Sequence, residues 1–313
     1  MPFSHRQLRK AVRKHLPDLP HDILFEPIRT GKFNTSFWVR TWDKDFVLRI
    51  APPQDTAFVF YERGMMRQEP ELHELLREKT GIPVARIHAF DSSRRILDSD
   101  FLVMERLPGT PLSGNSLVDV NRVLRQVGEH LAELHALHGE SYGYLGAHEP
   151  MEPQDRWAGA FAIMWGKLID DVERIGCYDA EESALMKKLL DERLPLFDRD
   201  VPPSLLHMDV WAQNILVDGK GTVTGLLDWD RALWGDPEIE FAVLDYCGIS
   251  EPAFWEGYGR QRDSSPEANV RRVFYLLYEL QKYMVIRQGR EDDQAGALAY
   301  KEQVLNVASQ ALG

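Results

Sequence analysis

Apolar positions recur along this chain with two different periods, and the change of period divides it. Leu117, Val120, Leu124, Val127, Leu131 and Leu134 follow a three-four spacing that places all six on one face of a long helix. Trp157, Phe161, Met164, Leu168, Val172 and Ile175 repeat that pattern, and residues 181–194 add a third helix. Residues 238–248, 251–260, 266–288 and 292–311 read as four more, with Val270, Val273, Leu277, Leu280 and Met284 at core spacing. Before residue 107 the pattern shortens. After a helix over 4–16, closed by Pro17 and Pro20, the runs Ile23–Ile28, Ser36–Thr41, Phe46–Ile50, Arg86–Phe90 and Phe101–Met104 are strand-like. Between the third and fourth runs, residues 62–79 put Met65, Glu69, Leu72 and Leu76 on one helical face. Pro70 fits only a first turn or a kink, so this helix is expected to begin near Gln68, with Glu69 at its positive end. The expected fold is α+β, with a sheet-rich part over residues 1–106 and a mainly helical part over 107–313. Glu105–Gly109 (ERLPG) reads as the linker, or as a plain exit from a strand.

The polar residues carry the chemistry, and they concentrate in residues 204–230, SLLHMDVWAQNILVDGKGTVTGLLDWD. Short β-like runs at 204–206, 215–217 and 223–227 enclose a polar loop with Asp209 and Asn214, and the last run ends on Asp228. Strands that deliver polar side chains to one rim suit an active site. The spacing suits phosphoryl transfer. An Asp orients the acceptor hydroxyl and takes its proton, while an Asn five residues later and an Asp after the next hairpin hold Mg²⁺. Hard Mg²⁺ prefers oxygen ligands and keeps waters, so an amide oxygen and a carboxylate are an apt pair. Upstream, Arg49 sits among apolar neighbours in FVLRI and needs an anionic partner; Glu69 is the candidate. Other residues read as scaffold: His207 as a hydrogen-bonded support, Asp218-Gly219 as a hairpin turn, and Asp236-Pro237 as a helix N-cap. His207 and Asp209 could instead be a hydrolase metal pair, but no further His lies at ligand-like spacing nearby.

The stretch His207-Met208-Asp209-x4-Asn214, then Asp228-Trp229-Asp230, then Gly235-Asp236-Pro237, resembles the aminoglycoside phosphotransferase and choline kinase-like family, small-molecule relatives of the protein kinases. The resemblance spans about residues 23–285 and implies a two-lobed protein-kinase-like fold with a small antiparallel sheet lobe, a helical lobe and a hinge near 105–109. It also implies ATP or GTP as donor, Asp209 as catalytic base, and Asn214 and Asp228 as Mg²⁺ ligands. Arg49 would hold phosphates with Glu69 behind it, the Thr30–Ser36 hairpin (TGKFNTS), Ser36 included, would lie over the nucleotide, and Glu105 and Leu107 would meet the adenine edge. Two departures stand out. Met208 replaces the usual Gly and is expected to narrow the acceptor pocket, and Glu240 replaces a common Asp with a longer reach.

Composition narrows the partners. The 313 residues are 44% hydrophobic and 27% charged, ordinary for a globular protein, and no run of about 18 apolar residues points to a membrane span. The basic N-terminus lacks the apolar core of a signal peptide, and two cysteines, Cys177 and Cys247, form no disulfide framework, so a cytoplasmic location is expected. A net charge of −12 argues against a nucleic-acid partner. Residues 1–106 hold 18 Lys+Arg against 15 Asp+Glu and the rest 19 against 34, so the acidic second part suits a cationic acceptor, though solubility accounts for it equally. Trp211 and Asp230 are the candidate acceptor contacts. The expected activity is therefore phosphorylation of an amine-bearing antibiotic or sugar, with antibiotic resistance as the consequence if the acceptor is an aminoglycoside. Alternatives are a neutral sugar, a macrolide, an amino alcohol of the choline or homoserine type, or a silent nucleotide-binding protein. A monomer or a homodimer fits.

Overall fold

The computed structural model describes residues 3–312 except His21 and Lys32. α1 (His5–His15) starts at Ser4, whose hydroxyl and Gln7 form a capping box. Then come β1 (Leu24–Ile28), β2 (Thr35–Arg40) and β3 (Asp45–Ile50). A 3₁₀ turn at Met65–Gln68 leads into α2 (Glu69–Lys79), with Pro70 in its first turn where the missing N–H costs nothing. β4 (Ile87–Asp91) and β5 (Phe101–Glu105) complete an antiparallel sheet in the order β1-β2-β3-β5-β4. β3 is central, and Phe46 to Ile50 are buried on both faces. On one face Leu8, Ala11 and Val12 of α1 pack with Phe37, Leu48 and Ile50. α2 instead sends Leu72 and Leu76 into a cluster with the helical lobe, so the lobes share core.

The helical lobe begins with β6 (Thr110–Pro111) and α3 (Val120–His135). Here the helical pattern over-reached. Leu117 is 95% and Val120 49% exposed, because the Asp119 carboxylate caps the amides of Asn121 and Arg122 and starts the helix only there. α4 (Trp157–Arg174) and α5 (Ala180–Asp191) follow, then β7 (Ser204–Leu206), β8 (Ile215–Val217), β9 (Val223–Leu226) and β10 (Leu233–Gly235). β6 and β10 are too short to leave a period, yet they decide the pairing: β7 pairs with β10, and β8 lies between β6 and β9. α6 (Pro237–Tyr246), α7 (Pro252–Tyr258) and α8 (Pro266–Met284) follow; Val285–Arg290 widens into a π-turn, and α9 (Gln294–Leu312) ends the description. Asp236 caps α6 with Pro237 in the first turn, as its dipeptide suggested. Trp157, Phe161, Trp165, Phe197, Tyr275 and Tyr278 fill the core of this lobe, each such burial contributing about 1.5–3 kcal/mol. Among the described residues no helix is long and apolar enough to cross a membrane.

Candidate active site

β7 runs into the loop of residues 207–214, and buried bonds hold His207 and Met208 at its start. The His207 imidazole is fully buried; Nε2 donates to the Leu227 carbonyl (3.0 Å) and Nδ1 accepts from the Asp209 amide (3.2 Å). Burial pushes its pKa down, so the neutral ring pins the loop to the end of β9. Met208 adopts φ +65°, the left-handed region that disfavours a side chain with a Cβ. Its amide donates to Glu240 Oε1 (2.6 Å), and its side chain is fully buried in the helical-lobe core. It therefore does not narrow an acceptor pocket. Glu240 is fully buried and also receives His135 Nε2 (2.7 Å) and the His207 amide (3.1 Å). Burial alone would raise its pKa; these donors more than offset that and hold the carboxyl below the usual range. The longer reach expected of Glu240 thus serves the tight turn at Met208.

Asp209 keeps 31% of its side chain open. Its Oδ2 accepts from Asn214 Nδ2 (2.8 Å), and the same amide nitrogen bonds the Asp209 carbonyl (2.9 Å). With Nδ2 committed twice, Asn214 has its amide oxygen left for another partner. The Asn214 carbonyl accepts from the Leu227 amide (2.9 Å), which brings Asp228 beside the loop. Asp228 is also left-handed (φ +70°), is 37% exposed, and accepts from Arg49 Nη2 at 2.5 Å. Burial pushes the Asp209 carboxyl up to about 6; Lys282 and Arg231 oppose this, while Asp228 and Glu279 add to it. Trp211, half-buried between Asp209 and Asn214, contributes its carbonyl to the Asn214 amide (2.8 Å).

On the sheet side, Arg49 is buried and its guanidinium meets three carboxylates: Glu69 (2.5 Å), Asp228 (2.5 Å) and Asp230 (3.1 Å). The Arg49–Glu69 contact is the pair the sequence suggested. One cation cannot offset both buried acids, so burial wins: Glu69 is pushed up to about 7 and Asp230 well above the carboxylate range. Glu69 Oε1 is buried and finds no hydrogen-bond partner among the described residues. Asp230, placed by the sequence on the acceptor side, instead lies against Arg49 and Asn34 Nδ2 (3.2 Å), with its carbonyl on Gln68 Nε2 (2.6 Å). Ser36 stands opposite Arg49 in the β2–β3 register. Lys32, within the Thr30–Ser36 hairpin, lies outside the described residues. At the linker, Glu105 accepts the Arg86 amide (3.1 Å), and Leu107 packs against Val47 and Met104 close to Gly225 of β9.

Sequence reasoning missed Arg231, Glu279 and Lys282. Arg231 Nη1 donates to the Met208 carbonyl (2.7 Å) and lies 3.8 Å from Asp209 Oδ1; Nη2 donates to Glu279 (2.7 Å), which also bonds Lys282. Glu279 and Lys282 lie off the apolar stripe of α8, on its opposite side, which is buried as well. Among the described residues no three His, Cys, Asp or Glu side chains group in a way that could hold a metal ion.

A small antiparallel sheet lobe over a helical lobe, with an arginine of the central strand on a helix carboxylate, defines a protein-kinase-like fold. The chain matches the family model described as "Phosphotransferase enzyme family" over residues 25–273, and it belongs to that family of small-molecule phosphotransferases. A "Probable ketoamine kinase" of Vibrio parahaemolyticus is 27% identical over 280 residues, 85% of this chain and 87% of the relative. Among solved structures, the "Putative fructosamine-3-kinase" of Haemophilus somnus superposes with TM-score 0.72 at 19% identity, covering 96% and 97% of the two chains. An aminoglycoside phosphotransferase in ternary complex with AMP-PNP and hygromycin B gives 0.65 at 18% identity, covering 95% and 99%.

Proposed function

We propose that this protein moves the γ-phosphoryl of ATP to a hydroxyl of a ketoamine-type sugar, the amine-bearing sugar class. The observation that supports it most is the junction of Asp209, Asn214 and Asp228, tied by Asn214 Nδ2 on one side and the Leu227 amide on the other. A free amide oxygen and a half-open carboxylate are hard donors that fit Mg²⁺, which would take its remaining ligands from water and phosphate. Bound there, such an ion would neutralise part of the phosphate charge.

The remaining work belongs to the chain. Arg49 grips phosphate oxygens with its planar fork while Glu69 keeps it aimed. Asn214 holds Asp209 Oδ2, leaving Oδ1 to accept the proton of the acceptor hydroxyl. The hydroxyl oxygen then bonds to the γ-phosphorus as the bond to the β–γ bridging oxygen breaks, and ADP leaves. The ketoamine kinase relative supports this acceptor class. The test is acceptor-dependent ADP release with Mg²⁺ and ATP across ketoamines, plain sugars, amino alcohols and aminoglycosides. A ketoamine giving the highest kcat/KM supports the proposal; an aminoglycoside doing so overturns the acceptor class.

A further inference from the structure

α8 does not stop as an ordinary helix. Its backbone widens into the π-turn Val285–Arg290, a geometry that is rare and concentrates at functional sites. Gly289 then lies against residue 57: a Cβ at 289 would stand 2.7 Å from Ala57 Cβ and 3.4 Å from Ile175 Cγ2. The next residue, Arg290, reaches three groups. Nη2 donates to Glu62 Oε2 (2.5 Å), Nε donates to the Ala57 carbonyl (3.2 Å), and the guanidinium lies 4.9 Å from the Phe33 ring centroid. The ion pair is largely removed from water, at 15% and 7% exposure, and Glu62 Oε2 also accepts the Val59 amide (2.8 Å).

These contacts join parts that belong to different lobes. Phe33 lies in the hairpin between β1 and β2 and meets Phe58 edge-on at 6.1 Å. Phe58 belongs to the crossing after β3, which rests on α4 through Phe60 N to Asp171 Oδ2 (2.6 Å) and Arg174 Nη2 to the Phe58 carbonyl (3.0 Å). The hairpin tip is thus gripped by a cation from the far end of the helical lobe. A guanidinium over an aromatic face gains most where water is excluded, as it largely is here.

We propose that Arg290 is a positioning residue that clasps the 30–36 hairpin to the helical lobe, holding the hairpin down on the nucleotide through Phe33. This rests on the reading that the hairpin covers the triphosphate. The test measures Mg²⁺·AMP-PNP affinity and amide exchange in residues 33–40 for the full chain and for Arg290→Ala, Phe33→Ala, the double variant and Arg290→Lys. Arg290→Ala and Phe33→Ala should each weaken nucleotide binding about fivefold, and the double variant no further, because both break one contact. Arg290→Lys should fall between, since it keeps the charge on Glu62 and loses the planar stacking. Phe33→Ala leaves Glu62 untouched, so it separates the clasp from any folding defect of Arg290→Ala. Faster exchange of the hairpin in Arg290→Ala supports the clasp even if nucleotide fails to bind, an outcome that would sink the phosphotransferase reading alone. Unchanged hairpin exchange, or additive losses of affinity, would overturn the clasp.

Discussion

Replacing Met208 by glycine sets two known effects against each other. The left-handed backbone at this position, φ +65°, costs an ordinary residue about 1–2 kcal/mol, which glycine would recover. Against that, the Met208 side chain is fully buried in the helical-lobe core, and deleting a buried methionine side chain costs about 2–5 kcal/mol. Glycine's extra freedom in the unfolded chain adds about 0.4–1 kcal/mol. Burial wins, and Met208→Gly should be less stable by about 3 kcal/mol, lowering Tm by about 5 °C for a chain of this length. Since the side chain faces the core, kcat and the acceptor KM should stay within about threefold of wild type. Thermal melts and steady-state kinetics on the same preparations decide the matter. A Tm that rises would show that strain outweighs packing; an acceptor KM changed tenfold or more would show that Met208 faces the acceptor after all.

Asp209→Asn should lower kcat by at least about a hundredfold with nucleotide binding largely intact, because it removes the proton acceptor alone. The same variant should be more stable in metal-free buffer at pH 7, by about 1–2 kcal/mol. The folded carboxyl is pushed up to about 6, so folding takes up a proton and wild-type stability declines as pH rises from about 4 to 6. A Tm comparison at pH 4 and pH 7 checks this, and the gain should vanish at the lower value. In wild type, kcat/KM should fall on the acid side of about pH 6 as that carboxyl takes its proton, and a flat profile to pH 4.5 would contradict it. Glu69→Gln should raise the nucleotide KM several-fold while shifting Tm little, because the buried acid is already pushed up to about 7; a collapse in Tm would refute this.

Much of the architecture is visible in the sequence because its signals are local. The strands of the sheet lobe, the Asp236 cap and the start of α2 around Pro70 follow from period and backbone chemistry within a few residues. The Arg49–Glu69 pair was legible too, because a buried charge needs a counter-charge and one was available on the right helical face. What escaped depends on contacts far apart in the chain. β6 and β10 are strands only because β8 and β7 lie beside them, and Asp230 turned to Arg49 because Asn34 and Gln68 bracket it from the sheet lobe. Leu117 matched the period of α3 but lies beyond its cap, where Asp119 outweighs apolar spacing. Arg231 and Lys282 were invisible because their partner, Glu279, lies on the side of α8 opposite the apolar stripe, which reads as solvent-facing but is buried.

The account stands on Asn214 and Asp228 meeting one cation beside a triphosphate. Calorimetric titration of AMP-PNP into wild type and Asp228→Ala, each with and without Mg²⁺, tests that directly. Mg²⁺ should tighten binding to wild type and leave binding to Asp228→Ala nearly unchanged; an equal Mg²⁺ effect on both proteins would contradict the site.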